Sequence, residues 1–299
     1  MRSDYRALSR RRESPQRESV PRVRRKRFVP AHAILSITQR LDSMGKRLAE
    51  KSLLRPSRNS ACYATRSKSV RRTTGVTHGA VTIKGYSLEN PNRQKQDLFF
   101  ARPNLAGFAD VHLFGVCENG AASNLVKQNL PLLLSQDPEL SIHPALALHK
   151  AVCQVYNLLP NTQHDGLETD AAFVAVLLVR NAVYCANFGK SRACLLDSAR
   201  SCRMLALTND CVTNPASRSE PTVSRTVLTG RERGVLLGSN GLFKYLTTQE
   251  LLDFIIRFWH KDPARGVAFG LAQFAYERWL SQEGVAEDIT VVCVMFQPR

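Results

Sequence analysis

Acidic residues are scarce at the start of this 299-residue chain. Residues 1–75 carry 5 Asp+Glu against 21 Lys+Arg, a surplus of +16, while residues 76–299 carry 20 against 21. Nearly all of the formal +17 therefore sits in an N-terminal arm ahead of a neutral region. No run of about 18 apolar residues is present to span a bilayer, and no apolar stretch near the N-terminus resembles a secretory signal. The eight cysteines include no C-x-x-C pair, so neither a zinc signature nor a disulfide framework is legible. Internal repeats are absent as well. These absences set the expectation of a soluble protein in a reducing intracellular compartment.

The arm itself has structure in its pattern. Arg10, Arg11 and Arg12, then Arg24, Arg25, Lys26 and Arg27, lie among Ser, Pro and Glu, a composition too poor in apolar surface to order itself. Residues 1–30 read as a basic disordered tail. Ile34, Ile37, Leu41, Met44 and Leu48 then recur at three and four residues, which predicts an amphipathic basic helix over 31–54. A Ser/Arg/Thr-rich linker over 55–75 leads into a domain at 76–299. Such an arm suits an acidic protein surface, tubulin or a signalling protein for example; nucleic acid or an anionic membrane are the other acidic partners. No aromatic residues interleave with the arginine clusters as a base-stacking platform requires. The expected location is cytoplasmic or cytoskeletal, with nuclear or mitochondrial targeting open to the same basic stretch.

Within the domain, apolar and β-branched runs predict strands at Gly79–Lys84, Val111–Cys117, Ala171–Val179, Ala182–Asn187, Ala193–Leu196, Gly234–Gly238 and Ile289–Phe296. Helical spacing predicts Ala122–Leu134, Pro144–Asn157, Thr248–Trp259 and Pro263–Ser281, with Thr247, Thr248 and Glu250 as an N-terminal cap. Arg180-Asn181 joins two strands as a hairpin turn. The class is α+β or α/β, with largely antiparallel sheets. Cys117 reads as a small buried hydrophobe rather than a nucleophile, and neither His112 nor His164 has paired ligand spacing.

Four segments stand in a telling order. Phe114–Ala122 has the form of a strand end running into V-x-D-G-H-G-G, and Ala186–Ala193 that of A-N-x-G-D-S-R-A. Leu237–Lys244 has the form of L-x-S-D-G-L-W-D, and Glu287–Val292 that of D-N-I-T-V-V. Together they resemble the metal-dependent type 2C Ser/Thr protein phosphatases, as do the weaker Lys95-Gln96-Asp97, Leu207–Asp210 and Glu220. The resemblance covers roughly residues 79–297. It implies a four-layer αββα sandwich of two antiparallel sheets flanked by helices. It also implies a site where two Mg²⁺ or Mn²⁺ ions activate a bridging water.

Position by position, the implied ligands are altered. The first Asp is Glu118, one methylene longer and so reaching about 1.5 Å further. The following Gly is Asn119, whose Cβ restricts the turn. The Asp of G-D-S-R is Lys190, that of S-D-G is Asn240, and the Asp-Asn pair is Glu287-Asp288. Tyr86 and Ser87 stand where a phosphate-binding Arg is expected. The stretch from Glu220 to Arg231 reads as a shortened connection. Glu118, Lys190, Asn240 and Glu287 sum to −1 where four Asp give −4. At an effective dielectric of about 20, each lost neighbouring charge removes several kcal/mol of attraction for a divalent ion. The expectation is a degenerate metal site spanning Asp97, Glu118, Asn119, Lys190, Asn240, Glu287 and Asp288. In it the Lys190 ammonium pairs with Glu118 or Glu287, and no cofactor is held. The protein then works as a binding, scaffolding or regulatory module. The alternatives are an active Mg²⁺- or Mn²⁺-dependent Ser/Thr phosphatase with Glu118 and Glu287 as long ligands, or phosphopeptide or nucleotide binding without turnover.

Overall fold

A strand covered on both faces needs no alternation of polar and apolar residues, and two strands here show this plainly: Ala172–Val179 (AFVAVLLV) and Ile289–Phe296 (ITVVCVMF) are buried at every position. They lie at the heart of two five-stranded sheets. The computed structural model describes residues 75–90, 92–158, 172–197, 203–208, 221–258 and 263–297. The tail at 1–30, the helix at 31–54, nearly all of the linker at 55–75, and Asn209, Asp210, Glu220 and His164 lie outside the described residues.

One sheet runs in the order β1 (Val76–Ile83), β10 (Ile289–Phe296), β9 (Glu232–Gly238), β6 (Arg192–Asp197) and β7 (Arg203–Ala206). The other runs β2 (Leu98–Arg102), β3 (Val111–Glu118), β4 (Ala172–Val179), β5 (Ala182–Phe188) and β8 (Thr222–Val227). Every neighbouring pair is antiparallel. Helices α1 (Gly120–Gln136) and α2 (Pro144–Leu158) pack on the outer face of the second sheet, against Leu113, Cys117, Phe173 and Leu177. A short α3 (Asn240–Phe243), then α4 (Thr248–Phe258) and α5 (Pro263–Glu283), belong to the outer layer of the first sheet, with Val291, Cys293 and Met295 beneath them. Between the sheets, Phe114 and Val116 of β3 meet Val292 and Val294 of β10. The period of two sends alternate residues of each strand to the helices and to the opposite sheet. The result is the four-layer αββα sandwich.

Local chemistry closes the elements as their sequences dictate. The β4–β5 hairpin turns at Arg180-Asn181, with Arg180 at φ 55 and Val179 opposite Ala182. At the start of α4 the Thr247 hydroxyl accepts from the Glu250 amide at 3.2 Å. The Glu250 carboxylate accepts the Thr247 amide at 2.9 Å, a reciprocal cap. Three strands escape the sequence pattern. β2 and β7 have only five and four residues. β8, TVSRTV, occupies the stretch that reads as a shortened connection. All three are edge strands, where polar residues are tolerated.

The core holds two histidines, His78 of β1 and His112 of β3, with 4% and 5% of their surface exposed. The His78 ring lies 5.4 Å from that of Phe114, and His112 Nδ1 accepts the Asn104 amide at 3.3 Å. Burial lowers both pKa values; for His112 the nearby Asp110 opposes this and His78 adds to it. A folded pKa held below the unfolded value of about 6.5 gives stability that is present above pH 6.5 and lost as pH falls below it. His78→Leu is therefore expected to gain on the wild type as pH falls from 7 to 5. Thermal melts at the two pH values check this, and a difference independent of pH would refute it.

Candidate functional site

The C-terminal ends of β3 and β9, the start of β10 and the loop from Lys84 to Asp97 converge at one end of the sandwich. Most of the positions that the sequence resemblance matches to ligands meet there. Glu118 closes β3, and its Oε1 accepts the Ser191 hydroxyl at 2.6 Å and the Asn240 amide at 2.9 Å. Burial raises the pKa of Glu118, the two hydrogen bonds lower it, and the charges of Glu287 and Lys190 contribute less. Asn240 also turns its side chain outward, where Nδ2 donates to Glu287 Oε2 at 3.2 Å. One asparagine thus links the inner carboxylate to the exposed outer one.

The sharp turn after Glu118 is made without a glycine at position 119. Asn119 sits at φ 76, ψ 78 as the N-cap of α1, and asparagine is among the few residues that adopt left-handed backbone readily. Its carbonyl accepts the amides of Ala122 and Ser123. Gly241, by contrast, has no substitute: a Cβ there would stand 2.4 Å from the Asp288 carbonyl oxygen. The Trp279 indole donates to the Gly241 carbonyl at 2.7 Å and ties this loop to α5.

Asp288, one residue before β10, is the most heavily bonded group. Its Oδ1 accepts the Gly85 amide at 2.7 Å and Arg93 Nη2 at 3.2 Å; its Oδ2 accepts the amides of Gln96 at 2.6 Å and Asp97 at 3.2 Å. Asp97, buried beside it, accepts the Thr290 hydroxyl at 3.1 Å. Its pKa is raised to about 8, chiefly by burial, then by the charges of Glu118 and Asp288, with bonds from Ser239 and Thr290 opposing. These surroundings favour the protonated acid.

The ion pair expected of Lys190 is not formed. Lys190 is exposed, in the turn between β5 and β6, and makes no ion pair among the described residues. The neighbouring Ser191 reaches Glu118 instead, because a hydroxyl is desolvated at far less cost than an ammonium. Sequence reasoning missed Arg93, Ser191, Ser239 and Thr290. For three of these a signal existed, a hydroxyl beside an altered position in each motif: Ser191 after Lys190, Ser239 before Asn240, Thr290 two after Asp288. For Arg93 there was none, since only the loop's path brings it to Asp288. The basic residues Arg10, Arg11, Arg12, Arg24, Arg25, Lys26 and Arg27 lie outside the described residues.

Two hard divalent ions would need several carboxylates with free lone pairs. Here Asp288 is filled by protein donors, Asp97 is buried and accepts the Thr290 hydroxyl, Asn240 is neutral, and only Glu118 and Glu287 are carboxylates that reach the surface. Among the described residues, no group of three or more His, Cys, Asp or Glu is placed to hold a metal ion. The donor set does not fit a two-metal centre. No described helix is long and apolar enough to cross a membrane.

No protein-family model matches the chain. A curated relative, the probable protein phosphatase 2C 35 of Arabidopsis thaliana, is 23% identical over 296 aligned residues, covering 74% of this chain and 84% of that protein. The serine-threonine phosphatase 2C of Toxoplasma gondii superposes with a TM-score of 0.59 at 16% identity, covering 80% of this chain and all of the other. The Ser/Thr phosphatase Stp1 of Staphylococcus aureus superposes with a TM-score of 0.57 at 15% identity, over 78% and all of the two chains. The architecture is the fold of these type 2C phosphatase structures, and the chain is similar in sequence to the curated phosphatase 2C relative.

Proposed function

We propose that this chain is a type 2C phosphatase-like protein that does not turn over phosphoesters. It serves as a binding, scaffolding or regulatory module, docked to an acidic protein partner by its basic N-terminal arm. The observation that carries the reading is that Glu118, matched to the first ligand Asp, is already held at Oε1 by the Ser191 hydroxyl and the Asn240 amide. A carboxylate so held contributes to folding, and a metal would have to displace those donors before binding. Lys190 at an implied ligand position adds repulsion for any cation. The +16 of residues 1–75 supports an acidic partner, and the cytoplasm or cytoskeleton is where the reading places the protein.

The test is hydrolysis of a small aryl phosphate by the full chain in millimolar Mn²⁺, beside Glu118→Ala, with thermal melts in the same buffer. Wild type and variant are expected to be equally inactive, and Mn²⁺ to leave the melting temperature unchanged. An ion bound only to the folded state at 100 times its Kd would add about 2.7 kcal/mol. Metal-dependent turnover that disappears in Glu118→Ala would establish the active-enzyme reading instead. For the arm, a chain lacking residues 1–54 is expected to lose salt-sensitive binding to polyglutamate; retention of that binding would refute the docking role.

A further inference from the structure

The two helical layers differ in how they meet water. α4 and α5, of 11 and 21 residues, carry charges of both signs along their length, Glu250, Asp253, Arg265 and Arg278 among them. α1 and α2, of 17 and 15 residues and so of the same combined length, carry Lys127 and Lys150 and no other Asp, Glu, Lys or Arg. What stands outward there is mostly uncharged. Asn124, Gln128, Leu132 and Gln136 recur at every fourth residue of α1, and all four are exposed. On α2, Leu146, Lys150 and Asn157 are exposed on one side, and Ile142 lies in the link between the helices. Leu132, Ile142 and Leu146 are 52%, 66% and 45% exposed. A face that combines exposed aliphatic side chains with so little charge has the composition of an interface core.

We propose that two copies of this chain meet through the outer face of α1 and α2. A two-fold contact sets a face against itself, so each charge on it approaches its own like. A face nearly free of charge avoids that repulsion, whereas an acidic protein or a nucleic acid would call for a basic one. The polar groups that remain suit a self-contact too. Gln128 and Gln136 each donate and accept, so amide meets amide with no donor left facing a donor. Lys150, the one lysine on α2, has a four-carbon stem that can lie along the partner while its ammonium reaches water. At about 1.5 Å per residue and an axis spacing of about 8–10 Å, the two helices present about 25 by 20 Å, or roughly 500 Å² before the relief of the side chains is counted. A standard stable interface covers roughly 800 Å² per partner, so the contact is that of a reversible dimer, with a dissociation constant on the order of 10 μM.

The experiment is sedimentation equilibrium of the full chain from about 1 to 100 μM in about 0.5 M salt, which screens repulsion between the basic arms. A monomer–dimer equilibrium is expected. Leu132→Asp together with Leu146→Asp should weaken it by about a hundredfold or more, because each copy would then bury two unpaired carboxylates. Ile256→Asp, at a position of α4 as exposed as Leu146, should leave it unchanged. Circular dichroism confirms that both variants are folded. A chain monomeric throughout, a dimer indifferent to the Leu132 and Leu146 substitutions, or one weakened equally by Ile256→Asp would each overturn the proposal. In the monomeric case thermal melts name the other occupant. A loss of stability in the double variant assigns the face to another part of this chain, and no loss assigns it to a different protein.

Discussion

Replacing Asp288 with alanine is expected to lower the stability of the domain by about 3–5 kcal/mol, the usual cost of removing one partner from a buried charged pair. The side chain is 3% exposed and receives four donors from three parts of one loop: Gly85, Arg93, and the Gln96–Asp97 backbone. Without it those amides are left buried and unpaired, and the loop from β1 to β2 loses its anchor to β10. Asp288→Asn should recover less than half of the loss. Its amide nitrogen would face either Gln96 and Asp97 or Gly85 and Arg93, donor against donor. Glu287→Ala, one residue away but exposed, is the control and should fall within about 0.5 kcal/mol of wild type. Urea denaturation of the three variants decides the matter. Equal midpoints for Asp288→Ala and Glu287→Ala would mean that the hydrogen bonds to Asp288 do not hold the fold.

The strands buried on both faces were the most legible part of the chain. Ile289–Phe296 has the same bounds in sequence and structure, and the Arg180-Asn181 hairpin and Thr247–Glu250 cap form as their residues imply. The edge strands were illegible for a physical reason. β7 and β8 need satisfy only one neighbour each, so Arg203, Ser224 and Arg225 are tolerated and the pattern dissolves. At the site, position-by-position matching brought Asp97, Glu118, Asn240, Glu287 and Asp288 to one place, yet misjudged how the charges are compensated. A lysine in a motif suggested an ion pair. The fold instead exposes Lys190 and spends backbone amides, hydroxyls and one arginine from a loop on the carboxylates. Hydrogen bonds to backbone carry no residue signature, so this compensation could be seen only after folding.

The charge that remains costly is that of Asp97, and Asp97→Asn is expected to stabilise the domain by about 2–4 kcal/mol at pH 8.5, the cost of ionising a buried acid less the hydrogen bonding lost. With a folded pKa raised from 3.8 to about 8, Asp97 keeps its proton over a range where the unfolded chain has released it. Stability is thus fully present below about pH 4, falls as pH rises through the window, and levels off above about pH 8. Asparagine retains an oxygen for the Thr290 hydroxyl and removes the charge that burial, Glu118 and Asp288 all disfavour. The gain over wild type should be small at pH 5 and largest at pH 8.5. The histidine effect runs the other way but is common to both proteins and cancels in the difference. Urea midpoints at the two pH values give the answer, and a variant less stable than wild type at pH 8.5 would refute it. If Asp97 served as a ligand to divalent ions, the same substitution in Mn²⁺ would destabilise. The sign of one stability difference therefore separates a buried acid kept neutral by its surroundings from a carboxylate kept ionised by a metal.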